Sequence, residues 1–277
     1  MDSKGTYILS KFHGDKLDTD EVSSLSLFLY RTSLIVLAQD DTGEVCAVNL
    51  YSFQEFSDLS MIFEEDPLIH SANTFGRLFI HNAQFVLVPQ PVFDPTQCEV
   101  YLNFHTEVQT ATTEVFHLGI HSNTLQVVGC AEKELLSFLD SALPDLEVSS
   151  GAAFHLSYLL DTFASSHEEH IFLLPGPGAL YVGAFKDSEL VLFNYFEIHT
   201  ENDLMKFLFA VVKQLGFDQR SLHLSVVGDL IHVFSSIDQL IPFFKHIEQL
   251  APIEKLSFRA GAENFQKAGL LEAYWML

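Results

Sequence analysis

Residues 25–51 read LSLFLYRTSLIVLAQDDTGEVCAVNLY, and residues 170–198 read HIFLLPGPGALYVGAFKDSELVLFNYFEI. In the first stretch, Leu25–Tyr30 and Ser33–Gln39 are apolar, β-rich runs of strand length. Asp40-Asp41-Thr42-Gly43 is a turn signal, and Glu44–Tyr51 reads as a third strand. Phe56, Leu59, Ile62 and Phe63 then recur at helical spacing, closed by Pro67. The second stretch repeats this order. His170–Leu174 and Leu180–Phe185 are strands, Lys186-Asp187-Ser188 is a turn, and Leu190–Ile198 is a third strand. A helix follows on Leu204, Phe207, Leu208, Val211, Val212 and Leu215. Thr200 and Asp203 suit its start and Gly216 its end. Ala38 aligns with Ala184 at an offset of 146. Past the one-residue-shorter turn, Glu44 aligns with Glu189, Asn49 with Asn194 and Asp58-Leu59 with Asp203-Leu204, all at 145.

Each copy is therefore predicted as a hairpin, a third strand and a crossover helix. Antiparallel neighbours need only a short turn, whereas a return in parallel needs a helix, so a mixed sheet flanked by helices follows. Arg77–Asn82, Phe85–Pro89, Thr112–Ile120 and Leu125–Cys130 are further strands, and Asp94–Phe104 is a helix. A helix face on Leu135, Leu136, Leu139 and Leu143 ends at Pro144, and a serine-capped helix carries Leu156, Leu159, Leu160 and Phe163. Later, Leu222–Val227 is a strand, and Ser236 with Gln239 starts a helix over Leu240, Phe244 and Ile247 that Pro242 kinks or delays. Glu254–Phe258 is a last strand before an apolar terminal helix. This divides the chain into an arm (1–20), a first lobe (21–165) and a second lobe (166–277).

Lys plus Arg is 14 and Asp plus Glu is 37, a formal charge of −23. That charge repels phosphate backbones and anionic lipid, so no nucleic-acid partner is expected. With 48% apolar residues, 26 of all residues Phe, and only 18% charged, the chain folds around a large core or buries an interface. No run of about 20 apolar residues is present, so no membrane insertion is expected. Met1–Gly14 lacks the apolar stretch of a signal peptide. Cys46, Cys98 and Cys130 form no CxxC pair, which argues against thiolate zinc sites and disulfide frameworks. A cytoplasmic location is expected.

Tandem β-β-β-α units, each continued by β-α elements, resemble the actin-like ATPase superfamily. The fold so implied is α/β, with two tandem ribonuclease-H-like lobes and mixed five-stranded-type sheets. Length and order look most like an uncharacterised bacterial family of unknown function within that superfamily, distantly similar to the pilus-assembly protein PilM. The resemblance implies an inter-lobe ATP site in which each first hairpin carries an Asp-x-Gly phosphate loop. The sequence departs from this. Leu29-Tyr30-Arg31-Thr32-Ser33 has neither acid nor glycine, and Leu174-Pro175-Gly176-Pro177-Gly178-Ala179 has glycines but no acid. The closest carboxylates there are Glu169 and Asp187, and the adenosine-loop glycine pair is reduced to Gly228-Asp229.

Arg31, Thr32, Ser33, Gly176, Gly178, Gly228 and Asp229 are thus the candidate cleft residues, with ATP admissible as ligand but not favoured. Plain hairpin turns are the favoured reading of both tips, since Pro175 and Pro177 remove two donors. His167-Glu168-Glu169-His170 is the best metal-like cluster, although a loop entering a strand would not gather its side chains on one side. His117 and His121 are four apart on a strand and turn, where that spacing carries no ligand meaning. The apolar end, with Leu270, Leu271, Tyr274 and Trp275, reads as a docked helix or as a surface for a protein partner or self-association. The expected function is a non-catalytic binding or scaffold protein. The alternatives are an ATP-binding switch without efficient hydrolysis and, more weakly, a hydrolase using histidine and carboxylate groups.

Overall fold

Asp40 organises the first hairpin turn. Its carboxylate accepts from the Thr42 N–H at 2.9 Å, the Thr42 hydroxyl at 2.6 Å and the Glu44 N–H at 3.1 Å. This locks the chain reversal between two strands in the computed structural model, which describes residues 8–71, 75–109, 111–120, 124–144, 146–163 and 169–276. Fourteen strands among these are β1 Ile8–His13, β2 Val22–Leu29, β3 Ser33–Asp40, β4 Val45–Ser52, β5 Phe75–Ile80, β6 Phe85–Pro89, β7 Thr113–Ile120, β8 Leu125–Glu132, β9 Leu146–Ser150, β10 His170–Gly176, β11 Ala179–Lys186, β12 Glu189–Glu197, β13 His223–Val227 and β14 His246–Leu250. The helices are α1 Phe56–Glu65, α2 Cys98–Asn103, α3 Lys133–Ala142, α4 Gly151–Phe163, α5 Glu201–Leu215 and α6 Ile237–Leu240.

The chain separates into two compact units, residues 1–151 with 256–267, and residues 152–255 with 268–277. The first has a six-stranded sheet ordered β1-β4-β3-β2-β5-β9 and a three-stranded sheet ordered β6-β8-β7. The second has one sheet ordered β12-β11-β10-β13-β14. Removing β1 leaves the same five-strand order in both, antiparallel through the hairpins and parallel through the crossovers. Registers agree as well: Val36 faces Asn49 in one unit and Val182 faces Asn194 in the other. The fold is therefore the mixed α/β duplication that the sequence predicts.

Both crossover helices begin alike. Asp58 reaches back to the N–H groups of Gln54 and Glu55 at 3.0 and 3.1 Å, and Asp203 to those of His199 and Thr200 at 3.0 and 2.9 Å. These contacts satisfy donors that the helix start leaves open. Gly216 ends α5 in the left-handed conformation, φ +67°. One face of α5 buries Leu204, Leu208, Val211 and Val212 on the sheet. At about 2 kcal/mol per buried aliphatic side chain, that face contributes on the order of 8 kcal/mol before entropy is counted.

Several expectations differ from the structure. Of the segment read as an arm, Ile8–His13 is β1, paired antiparallel with β4, and Met1–Tyr7 lies outside the described residues. The units divide at 151/152, not 165/166. From Ala152 onward α4 packs on the second sheet, with Phe163 stacked on Phe172 at 4.2 Å. Residues 256–267 return to the first unit, where the Val45 N–H donates to Ser257 and the Arg259 N–H to Val45. A parallel bridge between Val45 and Phe258 is all that stands where a last strand was expected. Pro242 stops α6 at four residues rather than kinking or delaying it, and Ile247 lies on β14.

The apolar chain end is no α-helix. It forms 3₁₀ turns at Ala262–Ala268 and Leu271–Ala273, broken by Gly269 at φ +64°. Leu270, Leu271 and Trp275 are buried and Tyr274 is half-buried, so these residues are core rather than a partner surface. Trp275 packs edge-on against Tyr158 at 5.6 Å, under the Lys255 ammonium at 3.5 Å.

Arg259 pairs with Glu21 and with the buried Asp40, 2.7 Å away. Burial would raise the Asp40 pKa, but the hydrogen bonds from Thr42, Glu44 and Arg259 outweigh it and hold the group below the ordinary carboxylate value. A depressed folded pKa contributes stability above the unfolded value, near 4, which disappears as pH falls through the folded value. Asp40→Asn is accordingly expected to cost roughly 2–3 kcal/mol at pH 7. The gap between the urea midpoints of variant and wild type should narrow as pH falls below about 4 towards the depressed folded value; a gap independent of pH would contradict this role for Asp40.

Candidate functional site

The second unit's hairpin closes through Pro177-Gly178. Gly176 pairs with Ala179, and Gly178 takes φ +65°, a conformation glycine adopts without strain. The Gly178 N–H, which an anion loop would aim at phosphate, donates to the His232 carbonyl at 3.1 Å, and its carbonyl accepts from Ile198 at 2.9 Å. The His232 ring in turn contacts the Ala268 carbonyl.

Gly228 and Asp229 are equally committed. The Gly228 N–H donates to Leu250 at 3.1 Å, and its carbonyl accepts from Gln249 Nε2 at 2.7 Å. The Asp229 N–H donates to the Gly269 carbonyl at 2.9 Å, while its carboxylate caps the following 3₁₀ turn through the Ile231 N–H at 3.0 Å. A side chain at Gly228 would put Cβ 2.4 Å from the Gly269 oxygen, and one at Gly269 would reach within 2.7 Å of Asp229 Cβ. Two glycine backbones thus clasp each other. The close approach that glycine permits is spent on the protein's own C-terminal segment.

In the first unit, the Tyr30 N–H donates to Ser33 at 2.8 Å, and the Thr32 carbonyl accepts from Phe53 at 3.0 Å. Arg31 and Thr32 are exposed at the tip, and Ser33 is buried at the start of β3. The residues suggested by sequence therefore fall in two groups, Arg31–Ser33 in one unit and Gly176, Gly178, Gly228 and Asp229 in the other. The resemblance implies magnesium and ATP, and the donor set does not fit them. Glu169 precedes β10 and Asp187 lies in the β11–β12 turn, roughly 20 Å from Gly178 at about 3.3 Å per strand residue. Glu169 is engaged by Lys186 at 2.9 Å and by the Asp218 N–H at 3.2 Å.

His167, Glu168 and His121 lie outside the described residues. His117, on β7, packs against Phe93 at 4.9 Å. Among the described residues no group of three His, Cys, Asp or Glu side chains is placed to hold a metal. Burial pushes the thiols of Cys46, Cys98 and Cys130 up, away from reactive thiolate character.

Two polar constellations escape the sequence reading. His170, His223 and His246 stand in register at the starts of three adjacent parallel strands. His170 Nε2 lies 2.7 Å from the Ser225 hydroxyl, which donates to Glu248 at 2.8 Å. With its proton on Glu248, Ser225 accepts from His170. The order is thus histidine, serine, acid, and histidine is not the bridging base of a nucleophilic triad. Ser225 is also fully buried, so it offers no nucleophile to a substrate. The sequence signal was the repeated start His-Ile-Phe, His-Leu-Ser and His-Ile-Glu.

The second constellation surrounds Asp66 in the first unit. Pro67 holds Asp66 in extended backbone, φ −77° and ψ 114°, at the end of α1. Its carboxylate accepts from the Tyr51 hydroxyl at 2.6 Å, Asn49 Nδ2 at 2.9 Å and the Leu68 N–H at 2.7 Å. Asn49 Oδ1 then faces His13 Nε2 at 2.8 Å, so that nitrogen carries the hydrogen. Burial first, and the Asp66 contact second, push the Tyr51 hydroxyl pKa far up. Asn49, Tyr51 and Asp66 are buried and His13 half-buried, and we read the group as a structural strut.

The repeated five-strand order with flanking crossover helices defines the actin-like ATPase fold. A crystal structure from Bacteroides thetaiotaomicron, described as a protein with actin-like ATPase fold and unknown function, matches with a TM-score of 0.70 at 17% identity, over 85% of this chain and 94% of that one. The PilM-PilN type IV pilus biogenesis complex matches with a TM-score of 0.61 at 12% identity, over 91% of this chain and 96% of that one. No curated protein matches the chain. The sequence profile of the family described as protein of unknown function (DUF3822) matches residues 15–247, and the chain belongs to that family.

Proposed function

We propose that the protein is a non-catalytic actin-fold binding protein that works by holding a protein partner. The observation that carries this reading is the committed state of the second unit's glycine loops: the Gly178 and Asp229 N–H groups donate to the chain's own carbonyls. Phosphoryl transfer is electrostatic work done by metal and oriented donors. Hairpin tips without carboxylates, and glycine donors already used, supply neither. The PilM-PilN complex supports a protein partner, as a protein of similar fold seen with another protein. A net charge of −23 favours a basic partner over nucleic acid. No helix among the described residues is long and apolar enough to cross a membrane, and three buried free cysteines suit the reducing cytoplasm proposed for it.

Purified protein with magnesium and ATP is expected to release no phosphate above background, and millimolar ATP to leave its melting temperature unchanged. A ligand selective for the folded state must raise that temperature. A clear rise without turnover would replace this reading with a nucleotide-bound switch, and turnover would replace it with an ATPase.

A further inference from the structure

We propose that the groove formed by β7, α3 and β9 in the first unit receives an extended, basic segment of another protein, anchored by apolar side chains. The inference rests on the binding-protein reading and names the partner's chemistry. β7 is an outer strand of the three-stranded sheet and β9 an outer strand of the six-stranded sheet. They line a common cavity of about 360 Å³ with α3, at the low end of the range for ligand pockets. Its walls include Phe116 from β7, Leu136 from α3, and Leu146 and Val148 from β9, all half-buried apolar side chains. Glu114 and Asp140 stand exposed among them, and no Lys, Arg or His is among the described lining residues.

This lining selects by charge and by shape. Apolar walls gain from covering by apolar side chains. Two carboxylates on a chain of net charge −23 attract cations and repel an acidic segment. An outer strand presents main-chain groups to an added extended segment, whose alternate side chains point to opposite sides. An alternation of apolar residues with Lys or Arg answers all three demands: apolar side chains enter the groove while the cations reach Glu114 and Asp140. Helical or nucleotide ligands answer only part of them.

The test is fluorescence anisotropy on the full chain at 150 mM salt (about an 8 Å Debye length) with three labelled hexapeptides. They are Leu-Lys-Val-Lys-Leu-Lys, its glutamate counterpart and a Gly-Lys repeat. The first is expected to bind at least tenfold more tightly than either other. Glu114→Lys with Asp140→Lys, both at exposed positions, is expected to weaken it at least tenfold while the melting temperature stays in place. The same charge change made in the second unit, Asp161→Lys with Glu189→Lys, is expected to leave binding within twofold. Equal binding of the Gly-Lys repeat, undiminished binding to the Glu114/Asp140 variant, or no binding by the wild type would each overturn the groove. None of these bears on phosphate release, so the non-catalytic reading is judged separately by the ATP assays.

Discussion

Asp66→Ala is expected to lower unfolding free energy by roughly 4–6 kcal/mol, through three buried donors that lose one shared acceptor. Tyr51 OH, Asn49 Nδ2 and the Leu68 N–H all end on this carboxylate. Asn49 is fully buried and Asp66 and Tyr51 nearly so, which leaves water no route to replace it. Each orphaned buried donor costs about 1–3 kcal/mol, and the sum falls short of additivity because the three share a site. A loss of this size is a large part of the 5–15 kcal/mol typical of a domain. Tyr51→Phe removes one donor together with its hydrogen bond and is expected to cost only about 1–2 kcal/mol. The double variant should then be more stable than the sum of the two losses indicates, because the phenyl ring that replaces Tyr51 has no donor left to orphan. Urea unfolding of the four proteins measures this directly. Strict additivity, or an Asp66→Ala loss below about 2 kcal/mol, would show that the network is not a strut.

That strut was illegible in sequence for a definite reason. Asp66 precedes Pro67 and reads as the end of a helix, which it is. Nothing local says that its side chain meets residues 15 and 17 positions earlier. Alternation places Asn49 and Tyr51 on one face of a strand, but the duplication aligns Asn49 with Asn194, and Asn194 instead bonds the adjacent Tyr195 N–H. The copies share backbone and helix starts rather than polar networks. What could be read was governed by short-range rules: strand length, turn residues, the acid at the third helical position, Gly216. Three long-range features could not. The edge strand Ile8–His13 has a polar pattern whose meaning depends on pairing with β4. The return of residues 256–267 to the first unit depends on Arg259 finding Asp40, 219 positions away. The apolar end read as a helix because periodicity is blind to Gly269 being required in a left-handed conformation against Asp229. That the hairpin tips at residues 29–33 and 174–179 carry no acid was legible, because it is a fact of composition. That the remaining donors are used internally needed coordinates.

Gly228→Ala separates the two grounds on which the protein is proposed to be non-catalytic, the missing acids and the donors used internally. Gly228 sits at φ +101°, and its new Cβ would lie 2.4 Å from the Gly269 carbonyl oxygen. The backbone strain costs about 1–3 kcal/mol and the overpacking a similar amount, so a loss of roughly 3–5 kcal/mol is expected. The colliding oxygen belongs to backbone, which cannot rotate aside as a side chain would, so the C-terminal segment must shift as a piece. Trp275, the sole tryptophan, is buried on that segment and reports the shift through a red-shifted emission. Release of Gly269 also frees the Asp229 N–H that its carbonyl holds. If the clasp were the sole obstacle to nucleotide chemistry, the variant would gain phosphate release with magnesium and ATP. It is expected to gain none, because a freed backbone donor brings no carboxylate to the hairpin tips at Arg31–Ser33 and Gly176–Gly178. Two controls sharpen the comparison. Gly216→Ala, at a left-handed position with open space around its Cβ, bears the strain without the collision and should lose only about 1–2 kcal/mol with tryptophan emission unchanged. Gly269→Ala, colliding with Asp229 from the other side, should reproduce the Gly228→Ala red shift. Turnover in either clasp variant would mean that the active machinery is intact beneath a plug and that the non-catalytic reading is wrong.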